Sequence, residues 1–242
     1  MPAYNEERYI RPTLESVMQA KKIFEKKYKE KVEVIVVDNN STDKTAEIAI
    51  SNGCKVVTYA KHNLAAVRNA GAKAATAEYI AFVDSDSSII PENTFINIYN
   101  NLANEKIFGG GSLILPDKFN SFFGFFGFGL VDTLMFNFFA VIGRTSAVLI
   151  YLRRSDFEES EGFDETFWAL EDRDFSKKMK KMAKAKKQKI LHLRKPVIVC
   201  TRKNKLLSFS KMVSLFLKIL KKDAVKKEEV VHGFMYDFDK LR

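Results

Sequence analysis

Residues 79–87 read Tyr79-Ile80-Ala81-Phe82-Val83-Asp84-Ser85-Asp86-Ser87 and join a short apolar run to two nearby acids. The apolar run Tyr79–Val83 predicts a buried β-strand. Side chains alternate along an extended chain, so Asp84 and Asp86 point the same way if strand geometry continues past Val83. Because two like charges side by side repel, the pair indicates a site for a cation or a sugar hydroxyl. A solvated loop is the alternative interpretation of this pair.

The sequence around this stretch alternates between predicted strands and helices. Strands are predicted over Val32–Val37, Cys54–Tyr59, Ile107–Leu115, Val148–Leu152 and Ile190–Cys200, the last broken near Pro196. Helices are predicted over Glu6–Lys29, Thr42–Ser51, Asn63–Thr76, from Pro91 onward, Glu165–Lys187 and Leu206–Lys222. This alternation predicts an α/β fold with a parallel sheet and helices on both faces.

Acidic residues follow two of the predicted strands. Asp38 comes directly after Val32–Val37, and Asp84 and Asp86 come after Tyr79–Val83. Ligands of parallel α/β sheets bind at the carboxyl ends of the strands, so we expect these acids at one edge of the sheet. The alternative role of Asp38 is to cap the helix that follows Thr42.

The composition restricts the class of partner and the compartment. The formal net charge of +10 indicates an anionic partner such as phospholipid, nucleotide or nucleic acid. The two cysteines, Cys54 and Cys200, lie far apart and form neither a zinc motif nor a disulfide framework. Because the start of the sequence has no signal-peptide pattern, we expect a reducing, cytoplasmic location.

Five motifs occur in the order in which the family 2 glycosyltransferases carry them, and the chain resembles that family over about residues 2–200. They are Pro2-Ala3-Tyr4-Asn5-Glu6-Glu7, Val37-Asp38-Asn39-Asn40-Ser41-Thr42-Asp43, Arg68-Asn69-x-Gly71, Asp84-Ser85-Asp86 and Glu171-Asp172. The resemblance implies a GT-A fold, with a Rossmann-like, mostly parallel sheet flanked by helices, a C-terminal acceptor-side portion and amphipathic helices. It also implies an inverting hexosyltransferase that moves a sugar from a nucleotide-diphosphate donor to an acceptor hydroxyl.

The resemblance also implies which residues hold the donor. Asp38 would accept a hydrogen bond from the nucleotide base, as the ring N–H of uracil allows, and Arg68 would bind phosphate bidentately. Asp84 would lie near the ribose, and Asp86 of this DXD motif would bind Mg²⁺ or Mn²⁺ at the diphosphate. The full set of predicted donor-binding residues is Pro2, Tyr4, Glu6, Asp38, Arg68, Asp84 and Asp86. A solvated helix face is the alternative for Arg68, and a first-turn acid is the alternative for Glu6.

Glu171 and Asp172 are the predicted catalytic residues, and Asp172 matches the general base of the family. The base would take the proton of the acceptor hydroxyl as its oxygen attacks the anomeric carbon. A carboxylate is a weak base at its ordinary pKa of about 4, so partial burial should strengthen Asp172 in this role. The alternative is a pair of acids that only complement the dipole at a helix start.

Three regions are predicted: a nucleotide-sugar-binding half over residues 1–116, an acceptor-side and catalytic-base half over 117–205, and an amphipathic helix and tail over 206–242. The Phe-rich segment 119–143 is long enough to span a bilayer, but a single crossing would separate Asp86 from Asp172. We therefore expect an in-plane segment that, with Lys-rich stretches, binds the anionic inner face of a membrane. A lipid-linked or membrane-proximal acceptor follows as a hypothesis, and a buried helical hairpin is the alternative.

Two other function classes stay open. The family normally carries an apolar strand before its Pro-x-Tyr-Asn-Glu motif, whereas Met1 directly precedes Pro2 here. We therefore expect a gap in the sheet, and a catalytically silent nucleotide-sugar-binding module is one alternative function. A basic nucleic-acid-binding protein would also fit the charge, but the sequence carries no recognised motif of that class, so no nucleic-acid partner is predicted.

Overall fold

The computed structural model describes residues 1–85, 88–117 and 148–200. The elements in these ranges are β1 Pro2–Ala3, α1 Ile10–Tyr28, β2 Ile35–Asp38, α2 Thr45–Ser51, β3 Lys55–Thr58, α3 Leu64–Ala74, β4 Tyr79–Val83, β5 Ser88–Ile89, α4 Thr94–Leu102, β6 Ile107–Pro116, β7 Leu149–Arg153, α5 Arg154–Glu159, α6 Glu171–Ala185, β8 Lys189–Ile190 and β9 Leu193–Val199. The predicted in-plane segment 119–143 and the predicted helix 206–222 lie outside the described residues. None of the helices in the described ranges has the length and apolar character needed to cross a membrane.

The strands form two neighbouring sheets. The first has the order β1-β2-β3 and is parallel, and the second has the order β4-β7-β6-β9-β5 with β8 beside β6. Four of the seven pairings between described strands are parallel, and the antiparallel ones are β4–β7, β6–β7 and β5–β9. The predicted α/β architecture, with a mostly parallel sheet flanked by helices, is confirmed.

Helices cover both faces of β2, which explains why its sequence is uninterrupted by polar residues. Val34 and Val36 belong to the core cluster that contains the apolar side of α1. Ile35 and Val37 point the other way and pack against Val67 of α3. This alternation is the two-residue period of an extended chain, with both sets of side chains buried.

A cavity of about 340 Å³ lies between β2 and β4. Val34 and Ile35 line it on one side, residues 79–83 line it on the other, and apolar side chains of α1, α3 and α4 complete its wall. Met1 borders this space, and its amino group donates a hydrogen bond to the Ile35 carbonyl at 2.8 Å. The two sheets are therefore separated by this cavity, with β2 in one sheet and β4 in the other.

Two predicted strands differ from the observed ones. Strand β2 begins at Ile35, three residues later than predicted, because residues 32–34 face the cavity and have no strand beside them there. The break after Ile190 falls at residues 191–192, whereas Pro196 lies inside β9. The register of β9 against β6 shifts just before Val197, and proline is tolerated at such an irregularity because a regular ladder bond is not required.

The predicted helix starts are too early. Helix α1 begins at Ile10 and not at Glu6, because residues 6–9 form a turn in which the N–H groups of Tyr9 and Ile10 donate to the Glu6 carbonyl. Helix α6 begins at Glu171, six residues later than predicted, because side chains of α3 bind the preceding segment 163–167. Helix α4 begins three residues later than predicted, whereas α2 begins at Thr45, two residues after the predicted capping residue Asp43, and ends at Ser51 as predicted.

Candidate active site

The carboxyl ends of β1, β2 and β4 meet at one edge of the fold. Asp38 is the last residue of β2 and pairs with Ala3 of β1. Asp84 directly follows β4, and the hydroxyl of Ser85 donates a hydrogen bond to the Pro2 carbonyl. The two acidic strand ends therefore flank β1, as the topology of a parallel sheet predicts.

Asp38 is buried at the end of β2, and only one of its carboxylate oxygens is hydrogen-bonded within the described residues. The residue is 5% exposed, and its Oδ2 accepts a hydrogen bond from the Ser41 N–H at 3.2 Å, whereas Oδ1 has no partner among the described residues. An unsatisfied buried acceptor costs about 1–3 kcal/mol, which a ligand N–H would offset. The N-cap residue of α2 is Lys44, and the acid that binds its first turn is Asp43, whose Oδ1 accepts from the Thr45 N–H at 2.9 Å.

Tyr4 and Glu6 carry the chain from β1 along the same edge. The ring of Tyr4 packs edge-on against His62, with 4.8 Å between the ring centres. His62 in turn lies 3.2 Å from the side-chain oxygen of Asn39, the residue after β2. Glu6 is buried, and its N–H donates to the Thr45 hydroxyl at 2.6 Å. His62 could not be selected from residue spacing, because Tyr4 and Asn39 come from distant segments of the chain.

Arg68 connects the end of β4 to the start of α6. One terminal nitrogen of its guanidinium lies 2.8 Å from Asp84 Oδ1, and the other donates to Glu171 Oε1. The side chain of Arg68 is 1% exposed, that of Glu171 is 5% exposed and that of Asp84 is 24% exposed. The guanidinium thus lies in the interior and not on a solvated helix face, and its planar fork serves two carboxylates at once.

Two asparagines hold the segment that precedes α6: Asn63, the N-cap of α3, and Asn69, within α3. The side-chain amide of Asn63 donates to the carbonyls of Glu165 and Phe167 at 3.1 and 3.2 Å. Asn69 donates to the Phe163 carbonyl and accepts from the Phe163 N–H, both at 2.9 Å. Helix α3 is therefore the platform that fixes the path of the chain into α6.

Asp172 lies in the first turn of α6 with a strongly raised pKa. Burial and, after it, the charge of Glu171 raise the pKa of the Asp172 carboxyl to about 7, against the opposing effect of the Arg68 guanidinium. A carboxyl group with a pKa near the ambient pH exchanges a proton readily in either direction. Such a shift is typical of catalytic acids and bases.

The predicted metal ligand Asp86 lies outside the described residues. The described ranges contain no group of three or more His, Cys, Asp or Glu residues that could hold a metal ion. Asp84 is the acid of the motif that the structure does describe, and one of its oxygens contacts Arg68. Carboxylate oxygens are the ligands that Mg²⁺ and Mn²⁺ prefer, so the chemistry of this strand end suits such an ion.

Comparison with known sequences agrees with the motifs. Residues 1–119 match the family described as Glycosyl transferase family 2. The chain is 38% identical over 94 residues to the putative glycosyltransferase EpsH of Bacillus subtilis, covering 37% of this chain and 25% of EpsH. It is 33% identical over 106 residues to the minor teichoic acid biosynthesis protein GgaB of the same organism, covering 41% of this chain and 11% of GgaB. The aligned part is thus a quarter or less of these relatives.

Comparison with solved structures shows the same fold. The crystal structure of S. aureus TarS matches with a TM-score of 0.60 and 22% identity, over 97% of this chain and 43% of TarS. The mannosyltransferase PcManGT from Pyrobaculum calidifontis, solved with GDP-Man and Mn²⁺, matches with a TM-score of 0.60 and 18% identity, over 97% of this chain and 67% of PcManGT. The fold is that of GT-A glycosyltransferases. With the motifs and the family match over its first half, this chain belongs to glycosyl transferase family 2.

Proposed function

We propose that this protein is an inverting glycosyltransferase that moves a sugar from a nucleotide-diphosphate donor to an acceptor hydroxyl. The observation that carries the proposal is the buried bridge from Asp84 through Arg68 to Glu171. It brings the strand end where the donor would lie next to the first turn of α6, where Asp172 follows Glu171. A donor site and a candidate base therefore share one edge of the fold.

The donor would lie across the carboxyl ends of β1, β2 and β4. Asp38 Oδ1, which lacks a partner among the described residues, would accept the ring N–H of the base, and uracil presents such a group. Tyr4 and Glu6 border the same region, and a structure of TarS contains UDP. These points favour a uridine nucleotide as the donor.

A divalent cation is part of the proposal. Asp86, with Asp84 beside it in sequence, would hold Mg²⁺ or Mn²⁺, and the PcManGT structure contains Mn²⁺. When bound, such an ion neutralises charge on the diphosphate leaving group. The proton transfer from the acceptor would be carried out by a side chain of the protein.

Asp172 would act as the general base. In its ionised form it takes the proton from the acceptor hydroxyl while the hydroxyl oxygen forms a bond to the anomeric carbon. The bond from that carbon to the diphosphate oxygen breaks in the same displacement, so the configuration of the sugar inverts. The raised pKa of Asp172, about 7, makes the carboxylate a stronger base than an exposed aspartate.

The acceptor side includes a basic surface on α6. Its exposed lysines, with two that follow the helix, are Lys177, Lys180, Lys181, Lys184, Lys186 and Lys187. Each basic residue near an anionic membrane contributes about 1 kcal/mol of attraction, so we propose peripheral binding at the inner face and a lipid-linked or membrane-proximal acceptor. Flotation with vesicles that contain phosphatidylglycerol tests this: we expect co-migration at low salt, and its absence would contradict the membrane proposal.

A thermal-shift screen with nucleotide-diphosphate sugars and Mn²⁺, followed by an assay of released nucleoside diphosphate, tests the activity. A donor that binds the folded form raises the melting temperature by mass action. We expect one donor class to raise it and to be turned over. A shift without turnover in the presence of varied acceptors would support the silent binding module instead, and neither response would contradict both functions.

A further inference from the structure

The environment of Arg68 differs from that of a phosphate ligand. Its side chain is 1% exposed, and each terminal nitrogen donates to a different carboxylate of the protein. A residue that binds diphosphate must present N–H groups to the space where the donor lies. The guanidinium instead lies behind Asp84, in the interior of the fold.

The position of Arg68 also matters for Asp172. Three carboxylates, those of Asp84, Glu171 and Asp172, interact with this one guanidinium. Without the cation, like charges would face each other in a buried place, and the start of α6 would move away from the end of β4. Asn69, the next residue of α3, holds Phe163 through two hydrogen bonds, so the same helix fixes α6 at a second point.

We propose that Arg68 is a positioning residue, which fixes the place of Asp172 by tying the start of α6 to the end of β4 and makes no contact with the donor phosphates. This inference rests on the proposed transferase activity. Glu171 then holds the start of α6, and with it Asp172, through its bond to Arg68. It does not touch the substrate. Lysine cannot replace Arg68, because an ammonium group is a point charge without the planar fork that reaches two carboxylates.

The experiment separates donor affinity from turnover. Calorimetry with UDP and Mn²⁺ gives the Kd, and initial rates at saturating donor give kcat, for Arg68→Lys, Arg68→Met and the matched control Lys73→Met on the exposed face of α3. We expect both Arg68 variants to keep the Kd within about threefold of the wild type and to lose about 100-fold or more in kcat. The control should match the wild type in both quantities.

The pH profile of kcat adds a readout that a purely structural residue would not move. Within residues 1–85, 88–117 and 148–200, the charged groups that act on Asp172 are Glu171 on its own helix, Arg68 from α3 and Asp84 after β4. Because Arg68 favours the ionised form of Asp172, Arg68→Met should shift the midpoint of the profile to higher pH. Because Glu171 disfavours that form, Glu171→Gln should shift it to lower pH with an unchanged Kd for UDP.

Three outcomes overturn the inference. The first is an Arg68→Lys variant whose Kd rises tenfold or more while kcat at saturation stays within tenfold, since Arg68 would then be a phosphate ligand. The second is a folded Arg68 variant with the kcat and pH profile of the wild type. If the Arg68 variants do not fold, Glu171→Gln still decides: tighter binding of UDP would show that a released guanidinium reaches the phosphates. Wild-type protein that neither binds UDP nor turns over any donor would instead refute the proposed function, and this inference with it.

Discussion

The guanidinium of Arg68 in α3 lies 2.8 Å from the carboxylate of Asp84, which directly follows β4. The same guanidinium donates to Glu171, so a single buried cation serves carboxylates from two parts of the chain. Burial strengthens the interaction between these charges and makes each of them sensitive to the others. A change at one of these positions should therefore be measurable at Asp172.

Asp172→Asn should remove turnover and leave donor binding intact. Asparagine has nearly the shape of aspartate but cannot accept the acceptor proton, so we expect kcat to fall by about 10²–10⁴. The Kd for UDP with Mn²⁺, measured by calorimetry, should not change. Asp174→Asn in the same helical turn is the matched control and should keep kcat. A variant Asp172→Asn with wild-type kcat would show that another group is the base.

The rate should rise with pH through about 7. Only ionised Asp172 can take a proton, and burial with the charge of Glu171 raises the pKa of Asp172 to about 7. A plot of kcat against pH from 5 to 9 should therefore increase with a midpoint near neutrality. A profile that is flat over this range would contradict the assignment of Asp172 as base.

The raised pKa of Asp172 also affects stability, and its contribution changes with pH in the direction opposite to that of the rate. The folded state holds the Asp172 proton up to about pH 7, whereas the unfolded state releases it near pH 4. Between these values the folded state binds more protons, so the contribution of Asp172 to the free energy of unfolding falls as pH rises. Urea titrations of the wild type and Asp172→Asn at pH 5 and pH 7.5 isolate this contribution: the free energy of unfolding of the wild type relative to that of the variant should be lower at pH 7.5 than at pH 5.

Asp38→Asn should weaken nucleotide binding without destabilising the fold. The substitution replaces a charged acceptor by a neutral one, and hydrogen bonds to charged groups are stronger by about 1–1.5 kcal/mol, so the Kd for UDP should rise about tenfold. The free energy of unfolding should stay equal or increase, because the buried unpartnered oxygen of Asp38 loses its charge. Glu47→Gln on exposed α2 is the control. Loss of stability with unchanged affinity would indicate a structural role for Asp38.

The strands that carry Asp38 and Asp84 could be predicted because their signals are local. An apolar run buried on both faces and followed by an acid is visible within ten residues of sequence. The bridge from Arg68 to Glu171 could not be predicted from spacing, because the two residues are distant in sequence and meet only through the packing of α3 against α6. The family resemblance implied that Arg68 binds the donor phosphates. Its burial instead supports the role of a positioning residue.

The start of α6 shows why the local pattern was insufficient there. The acids from Glu165 onward favour a helix start by their charge. The side chains of Asn63 and Asn69, however, bind the backbone of the segment around Phe163 and Phe167 and compete with helical hydrogen bonds. Tertiary contacts of this kind override local preference, so the helix begins only at Glu171.

An apolar extension ahead of Met1 should stabilise the protein. The parallel register of β1 on β2 pairs Pro2 with Val37, so four added residues would lie beside residues 32–35 and fill the cavity between β2 and β4. Each fully buried aliphatic side chain contributes about 1.5–3 kcal/mol, part of which offsets the ordering of the added chain. One kcal/mol shifts Tm by about 2–4 °C at this size. We expect a Val/Ile extension to raise Tm by about 5 °C or more.

The amino group of Met1 provides a second readout of the same extension. Burial lowers the pKa of this group to about 5, so between pH 5 and pH 8 the unfolded state binds a proton that the folded state excludes. The contribution of this group to the free energy of unfolding should therefore rise with pH over this window, opposite in sign to that of Asp172. A Val/Ile extension converts the amine to an amide and should remove this dependence together with the gain in Tm. A Gly-Ser extension of equal length should remove the pH dependence only, and an equal Tm for the two extensions would show that the cavity does not accept a strand.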